Sequence, residues 1–183
     1  TEGDGNFNMF PFLEREGAQV LVEPIATWIM YMIHQAHSMN EDQKGINVYK
    51  EADEHHSMKE RFALLKEYRT SKTILSLSEK IFEREYDRYR KAFAEIPHKL
   101  VPQKTLKDLA HDFYHSRVEG GEGHLEVGKS IYYTVNNLCH MVLSLKPFGC
   151  MPSTQSDGVQ SAVSSKFKDM IFLPIETSGE GDV

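Results

Sequence analysis

The alternation of apolar and polar positions predicts a strand, a tight turn and a helix near the end of the chain. An apolar run spans residues 140–145, and a turn that contains Gly149 and Pro152 follows it. Small polar residues then lead into a helix-like pattern at 155–168. In open α/β sheets the ends of strands bind ligands, because the loops there carry chemistry while the sheet stays rigid. Cys150 lies at such an end and is the first candidate for function.

Two further strands are predicted, with helices between them. A compact apolar run at 18–24 stops at a proline and predicts a buried strand, and residues 170–176 predict the last strand. Apolar residues at helical spacing predict helices at 25–39 and 124–138. Strands that alternate with helices favour parallel pairing with helices on both faces of the sheet.

Two short helices and a loop complete the predicted set. Residues 3–17 place apolar side chains three positions apart, and Pro11 fits the first turn of a short helix there. Thr105 is the predicted N-cap of a helix at 105–116. Residues 119–123 predict a flexible glycine-rich loop.

The middle of the chain is predicted to be helical. Residues 40–45 are polar and predict a loop, whereas residues 47–93 carry an apolar stripe at helical spacing with almost no Gly or Pro. We expect two helices there, with a break near residues 70–73. The predicted fold class is α/β, with a small, mainly parallel Rossmann- or flavodoxin-like sheet and a helical middle segment.

The predicted elements form one domain with an insertion. Its α/β parts lie at 1–39 and 118–183, and the helical insertion lies at 46–117. The chain starts at Thr1 without an initiator Met and stops after a glycine-rich turn at 178–182, so we expect part of a domain of a larger protein.

Composition narrows the class of protein. With 183 residues, 40% of them hydrophobic, the chain can bury one sizeable core. A net charge of -6 and a pI near 5.8 give no broad basic surface for nucleic acid. No apolar run approaches the roughly 20 residues that span a bilayer. Two cysteines make no disulfide framework and favour a reducing compartment. We expect a soluble cytoplasmic protein that binds neither nucleic acid nor membranes.

The chemistry of Cys150 has two interpretations. A thiolate in a turn before a helix is stabilised by the helix dipole and by loop N–H groups, as a metal ligand or a nucleophile requires. A structural thiol is the alternative, and the spacing of residues leaves both open. One cysteine cannot by itself hold an iron–sulfur cluster, which usually takes three or four ligands.

Two glycine-rich segments are weaker candidates. The loop at 120–124 precedes a helix and could receive an anion, but it lacks the Lys-Ser/Thr ending of a phosphate-binding loop, so a plain connector is favoured. The turn at 177–182 follows a strand, and adjacent parallel strands end at the same edge. It could therefore lie beside Cys150, with function and structure equally favoured.

Histidines next to acidic residues suggest a metal site. His111 and His115 flank Asp112, and acidic and histidine side chains crowd residues 51–56. Neither set has a complete ligand pattern, so a solvated face is favoured. No GxSxG or GxGxxG motif is present.

Several motifs together resemble a known family. They are KPFGCMPS at 146–153, the preceding Gly-Glu-Gly and helix, IETSGEG at 175–181, NMFPFLEREGA at 8–18 and VEPIATWI at 22–29. They resemble the C-terminal, dehydratase-like region of the large activator-related proteins of the 2-hydroxyacyl-CoA dehydratase family. The resemblance covers most of the chain.

The resemblance implies a modular system of electron transfer. In that family an ATP-hydrolysing activator passes one electron to a dehydratase component that eliminates water from a 2-hydroxyacyl-CoA, and benzoyl-CoA reductases use comparable parts. By this resemblance Cys150 is a ligand of a [4Fe–4S] cluster in the full-length protein. The implied partners are other domains of the same polypeptide, an ATP-dependent activator or dehydratase subunit, and an acyl-CoA.

The predicted site surrounds this metal ligand. Its members are Cys150, Gly149, Ser153, Thr177, Ser178 and Gly179. The family's other cluster ligands fall on segments absent here, and Cys139 is not in a second matching motif. ATPase motifs are absent as well. We therefore expect the isolated piece neither to hold a stable cluster nor to complete a catalytic cycle.

Three functions follow as hypotheses. The leading one is a dehydratase-like domain that contributes Cys150 to an iron–sulfur site for low-potential electron transfer in CoA-ester dehydration or reduction. The second is a non-catalytic docking or scaffold module that binds a partner protein through its helical segment. The third is a metal hydrolase that uses His, Asp and Glu ligands.

Overall fold

The computed structural model describes residues 7–45, 57–118 and 121–177. The chain divides into two compact units, one of them Pro24–Gln103 and the other made of Thr1–Glu23 with Lys104–Val183. The first unit is helical, and the second contains the sheet. The sequence predicts boundaries between α/β parts and a helical insertion at residues 39, 46 and 118, and these boundaries stay a prediction.

Two long helices form the helical unit, and the first is longer than the sequence predicts. Helix α2, Ile25–Lys44, packs against helix α3, Met58–Ala92. The predicted loop at 40–45 is wrong, because α2 continues through it. Glu41 of α2 accepts hydrogen bonds from Tyr68 and from Lys72 Nζ, the latter at 2.9 Å. Polar residues there contact a neighbouring helix, so they do not mark a loop.

Helix α3 is continuous, so the predicted break near 70–73 is wrong. Ser57 begins it with a capping box, in which Ser57 N donates to Glu60 Oε2 at 2.7 Å and Glu60 N donates to Ser57 Oγ. Thr70 and Thr73 donate their hydroxyls to carbonyls one turn earlier, at 2.9 and 2.8 Å. Those bonds satisfy both hydroxyls inside the helix. The predicted residues 47–56 lie outside the described residues.

The sheet unit opens with helix α1, Met9–Arg15, which confirms the short helix with Pro11 in its first turn. The strand predicted at 18–24 is wrong, because this segment joins no ladder. Leu21 and Val22 are 54% and 45% exposed. Side chains hold its end in place, since Glu23 accepts a hydrogen bond from Tyr133 and lies 3.5 Å from Lys129 Nζ. An apolar run without a partner strand stays an irregular segment.

Helices α4, Gln103–Ala110, and α5, Gly123–Val135, precede the sheet. Helix α4 begins directly after Pro102, so Thr105 lies inside it and the predicted N-cap is wrong. Helix α5 confirms the helix predicted at 124–138, although it ends three residues earlier. Helix α5 packs against the later helix α6, Met151–Lys166.

Strands β1, Val142–Pro147, and β2, Phe172–Thr177, pair in parallel on either side of α6. The ladder runs from Val142 opposite Phe172 to Pro147 opposite Thr177. This β-α-β unit confirms the predicted parallel pairing. The described residues contain two strands, so the fold is mixed, largely helical, with a small parallel sheet.

The core of the sheet unit lies between its helices and the sheet. Its buried members come from α4, α5, α6 and the segments beside them: Ala110, Tyr114, Val127, Ile131, Val163 and Met170. Within the described ranges, no helix has both the length and the apolar content to cross a membrane.

Two helical glycines should respond oppositely to alanine. In α5 a Cβ on Gly128 would lie 2.7 Å from the Leu106 carbonyl oxygen, whereas a Cβ on Gly158 of α6 would meet nothing within 4 Å. Gly128→Ala should therefore lower the free energy of unfolding by about 1–3 kcal/mol. Gly158→Ala should raise it by about 0.5–1 kcal/mol, because glycine loses more entropy in a helix. Urea titration measures both, and equal effects would contradict the tight contact between α4 and α5.

Candidate functional site

The end of β1 turns sharply into α6. Gly149 has a φ of +73°, a left-handed conformation that favours glycine. Cys150 N donates to Pro147 O at 3.2 Å and closes the turn. The motif predicted to be a strand, a turn and a helix start therefore has that structure, with the helix beginning four residues before the predicted position at 155.

Cys150 is the N-cap residue of α6 and is partly exposed. Its carbonyl accepts from the backbone N–H and the hydroxyl of Thr154, at 2.9 and 3.0 Å. Its side chain makes no capping hydrogen bond. Pro152 occupies the first turn, where N–H groups have no acceptor within the helix. The thiol thus lies at the positive end of the α6 dipole.

Thr177 lies beside the end of β1, as the common edge of parallel strands predicts. Phe148 N donates to Thr177 O at 3.0 Å, and Thr177 Oγ1 donates to Lys146 O at 3.3 Å. Ser153 is in the first turn of α6 and accepts from Ser156 Oγ at 2.9 Å. The other two predicted site residues, Ser178 and Gly179, lie outside the described residues. A ligand-binding role for this set stays a prediction.

The glycines before α5 lie against the start of α6. A Cβ on Gly121 would come within 2.2 Å of Pro152 Cγ, and one on Gly123 would lie 2.8 Å from Pro152 O. Tyr114 donates its hydroxyl to Gln155 Oε1 at 2.6 Å in the same region. Close packing therefore accounts for these glycines, where the sequence favoured only a flexible connector.

An ionic network around a buried lysine lies next to the end of β1, and the sequence did not predict it. The side chain of Lys146 is 3% exposed, with its Nζ paired with Asp157 and 3.5 Å from Glu126 Oε1. Ser144 donates to Glu126 Oε1, and Ser156 donates to Glu126 Oε2 at 2.6 Å. The network joins β1, α5 and α6. Ser144 and Lys146 are two positions apart, which places both side chains on one face of the strand, and this spacing could have indicated the network.

Each charged group of this network has a partner within the network. The ammonium has two carboxylates, and both oxygens of Glu126 accept hydrogen bonds from serine hydroxyls. A buried charge with this many partners is stable where a lone one would not be. The network therefore fixes the strand end and the start of α6, beside the partly exposed thiol of Cys150.

The described residues place few side chains where they could bind a metal ion together. In the ranges that the structure describes, no group of three or more His, Cys, Asp or Glu side chains could hold a metal ion. His111 and His115 contact each other at 5.4 Å between ring centroids, but Asp112 pairs with Lys166 at 3.1 Å. At the end of β1 one thiol is present, that of Cys150. These residues fit the role of one cluster ligand and do not form a complete cluster site.

No family model, curated protein or solved structure matches this chain. Its own residues and the resemblance of its motifs are therefore the basis for assigning a function.

Removal of Lys146 should destabilise the sheet unit. Lys146→Met leaves Glu126 and Asp157 without their shared cation, and we expect a loss of about 2–3 kcal/mol in the free energy of unfolding, since both carboxylates are partly exposed. Urea denaturation measures the change. The matched control is Lys168→Met at an exposed position, with an effect within about 0.5 kcal/mol. Adding Asp157→Asn to Lys146→Met should recover part of the loss. An effect of Lys146→Met no larger than the control would contradict the role of the network.

The two cysteines should differ in reactivity. Burial raises the pKa of the Cys139 thiol, so less of it is thiolate at pH 8. We expect iodoacetamide to modify Cys139 severalfold more slowly than Cys150. The rate at Cys139 should keep rising as the pH is raised above the ordinary thiol pKa of about 8.5. Mass spectrometry of the labelled peptides follows both residues, and Cys139→Ser and Cys150→Ser assign the signals. Equal rates across this pH range would count against the difference.

Proposed function

We propose that this chain is a dehydratase-like domain of an activator-related protein of the 2-hydroxyacyl-CoA dehydratase family. In this proposal Cys150 is one ligand of a [4Fe–4S] cluster that serves low-potential electron transfer in CoA-ester dehydration or reduction. The observation that carries it is the place of Cys150: a partly exposed thiol at the N-terminus of α6, directly after a parallel strand and within the KPFGCMPS motif.

The proposal includes a finer description of the fold. The β1-α6-β2 unit would be one part of a Rossmann- or flavodoxin-like sheet, with further strands supplied by other domains of the same polypeptide. An ATP-dependent activator or dehydratase subunit and an acyl-CoA would be its partners. A cytoplasmic location follows, because free thiolates and iron–sulfur clusters need reducing conditions.

The residues of the strand end have separate tasks in this proposal. The cluster, when bound, would supply a one-electron carrier. Cys150 would donate a thiolate, and the first-turn N–H groups of α6 favour its negative charge. Gly149 allows the turn that presents the thiol, and Thr177 lies at the rim of the same edge. The remaining ligands would come from outside the described residues.

Iron binding tests the ligand role of Cys150. After anaerobic reconstitution of the full-length protein that carries this sequence, Cys150→Ala should lose most of its iron and visible cluster absorption, because one thiolate ligand is gone. Cys139→Ala is the matched control and should retain both. Undiminished iron in the Cys150→Ala protein would refute the proposal, and circular dichroism checks that each variant is folded.

A second candidate is a docking module, and a specific observation favours it. The side of α3 that does not contact α2 leaves large apolar side chains exposed, among them Phe62 at 70% and Leu77 at 58%. Apolar groups exposed in a row on a helix are typical of protein interaction surfaces. In this proposal the helical segment binds a partner protein without taking part in chemistry.

A further inference from the structure

The exposed side of α3 carries a single stripe of basic and apolar residues. Positions 59, 62, 66, 69, 73, 77, 80 and 84 follow one another at intervals of three or four, which places them along one side of a helix. Every one of these residues is exposed, and none is acidic. We call this set the basic stripe. Its apolar members are Phe62 and Leu77, and Ile74 and Ile81 lie next to it.

The cations of the basic stripe form no ion pair with a carboxylate among the described residues, in contrast to four other cations of α3. Lys72, Arg88, Arg90 and Lys91 each pair with a carboxylate. No such pair is formed by the five cations of the stripe, which are Lys59, Lys66, Arg69, Lys80 and Arg84. In a chain with a net charge of -6, these five cations concentrate positive charge on one side of α3.

A shallow, open groove between side chains lies along the first half of the stripe. All the residues that line it belong to α3, and they combine apolar and cationic side chains, including Phe62, Leu65, Ile74, Lys66 and Arg69. Side chains of a partner helix can pack into the gaps between side chains on a helix surface. The cations at its margin call for carboxylates on that partner.

The pattern favours a protein partner over a lipid surface. A helix that lies on a membrane separates its apolar face from its cationic face. Here two apolar residues lie among five cations on the same side, and the opposite side packs against α2. Insertion of Phe62 and Leu77 into lipid would bury Lys66 and Arg69 between them. A helix with interleaved acidic and apolar residues matches both kinds of side chain.

We propose that the basic stripe of α3 binds an amphipathic helix of a partner protein, with apolar residues in the groove and acidic residues against Lys66, Arg69, Lys80 and Arg84. This inference names the partner chemistry of the docking module proposed above and rests on that second candidate function. It does not depend on the iron–sulfur proposal.

Peptide binding by the full chain tests the inference. The probe is a fluorescent peptide of about three heptads with Leu at positions a and d and Glu at e and g. The same peptide with Lys in place of Glu is its matched control. We expect the acidic peptide to bind at least about tenfold more tightly than the basic one at low salt, with an affinity that falls as salt rises.

Charge reversal locates the binding surface. Lys66→Glu with Arg69→Glu, and separately Lys80→Glu with Arg84→Glu, should each weaken binding of the acidic peptide by about tenfold or more. The control, Lys99→Glu with Lys168→Glu, makes the same change of charge at exposed positions outside the stripe and should bind as the original chain does. Cys150→Ala should also bind normally. All of these substitutions are at exposed or partly exposed positions, and circular dichroism verifies folding.

The outcomes distinguish the docking module from the acidic partner helix that we propose for it. Equal binding of both peptides, lost in a Phe62→Ser and Leu77→Ser variant, would keep the docking module and overturn its acidic partner. Binding of neither peptide would overturn both. Binding to phosphatidylserine vesicles without binding to the acidic peptide would overturn the inference in favour of a membrane surface. Equal loss of affinity in the stripe variants and in the control would overturn it as well.

Discussion

The placement of one buried ammonium governs the sheet unit. Lys146 is the second-to-last residue of strand β1, and its charge is compensated by Asp157 from α6 and Glu126 from α5. A cation this far from water must keep its partners, so the three elements cannot move apart without a large desolvation cost. The two serines on Glu126 fix the carboxylate as well. The position of Cys150, four residues after Lys146, depends on this arrangement.

The helical unit depends on a different kind of interaction. A capping box at Ser57 and Glu60 satisfies N–H groups at the start of α3, and Arg90 near its end pairs with Asp87 and Glu95. One side of the helix contacts α2, where Glu41 meets Lys72. Glu41 and Lys72 therefore compensate each other within the unit. The five cations of the basic stripe form no ion pair among the described residues, so they are available to a partner.

Local patterns predicted much of the sheet unit and little of its ionic network. The apolar runs and the Gly149 turn are local signals, and the β1-α6-β2 unit follows from them, with both strands beginning two residues later than predicted. The run at 18–24 has the same local composition, but no strand pairs with it. Whether a run becomes a strand depends on a distant partner, which periodicity does not reveal. The pairing of Lys146 with Glu126 and Asp157 is also a tertiary contact, so its residues looked unrelated in the sequence.

The surroundings of Cys150 bear on how a cluster could be bound there. Phe148 and Met151 flank the turn and are 76% and 59% exposed. An iron–sulfur cluster is tuned by the hydrogen bonds and solvent exposure around it, and a low potential depends on the protein that encloses it. One thiol and an exposed apolar rim do not supply that enclosure. A cluster bound through Cys150, as proposed above, would therefore need its other ligands and its cover from outside the described residues.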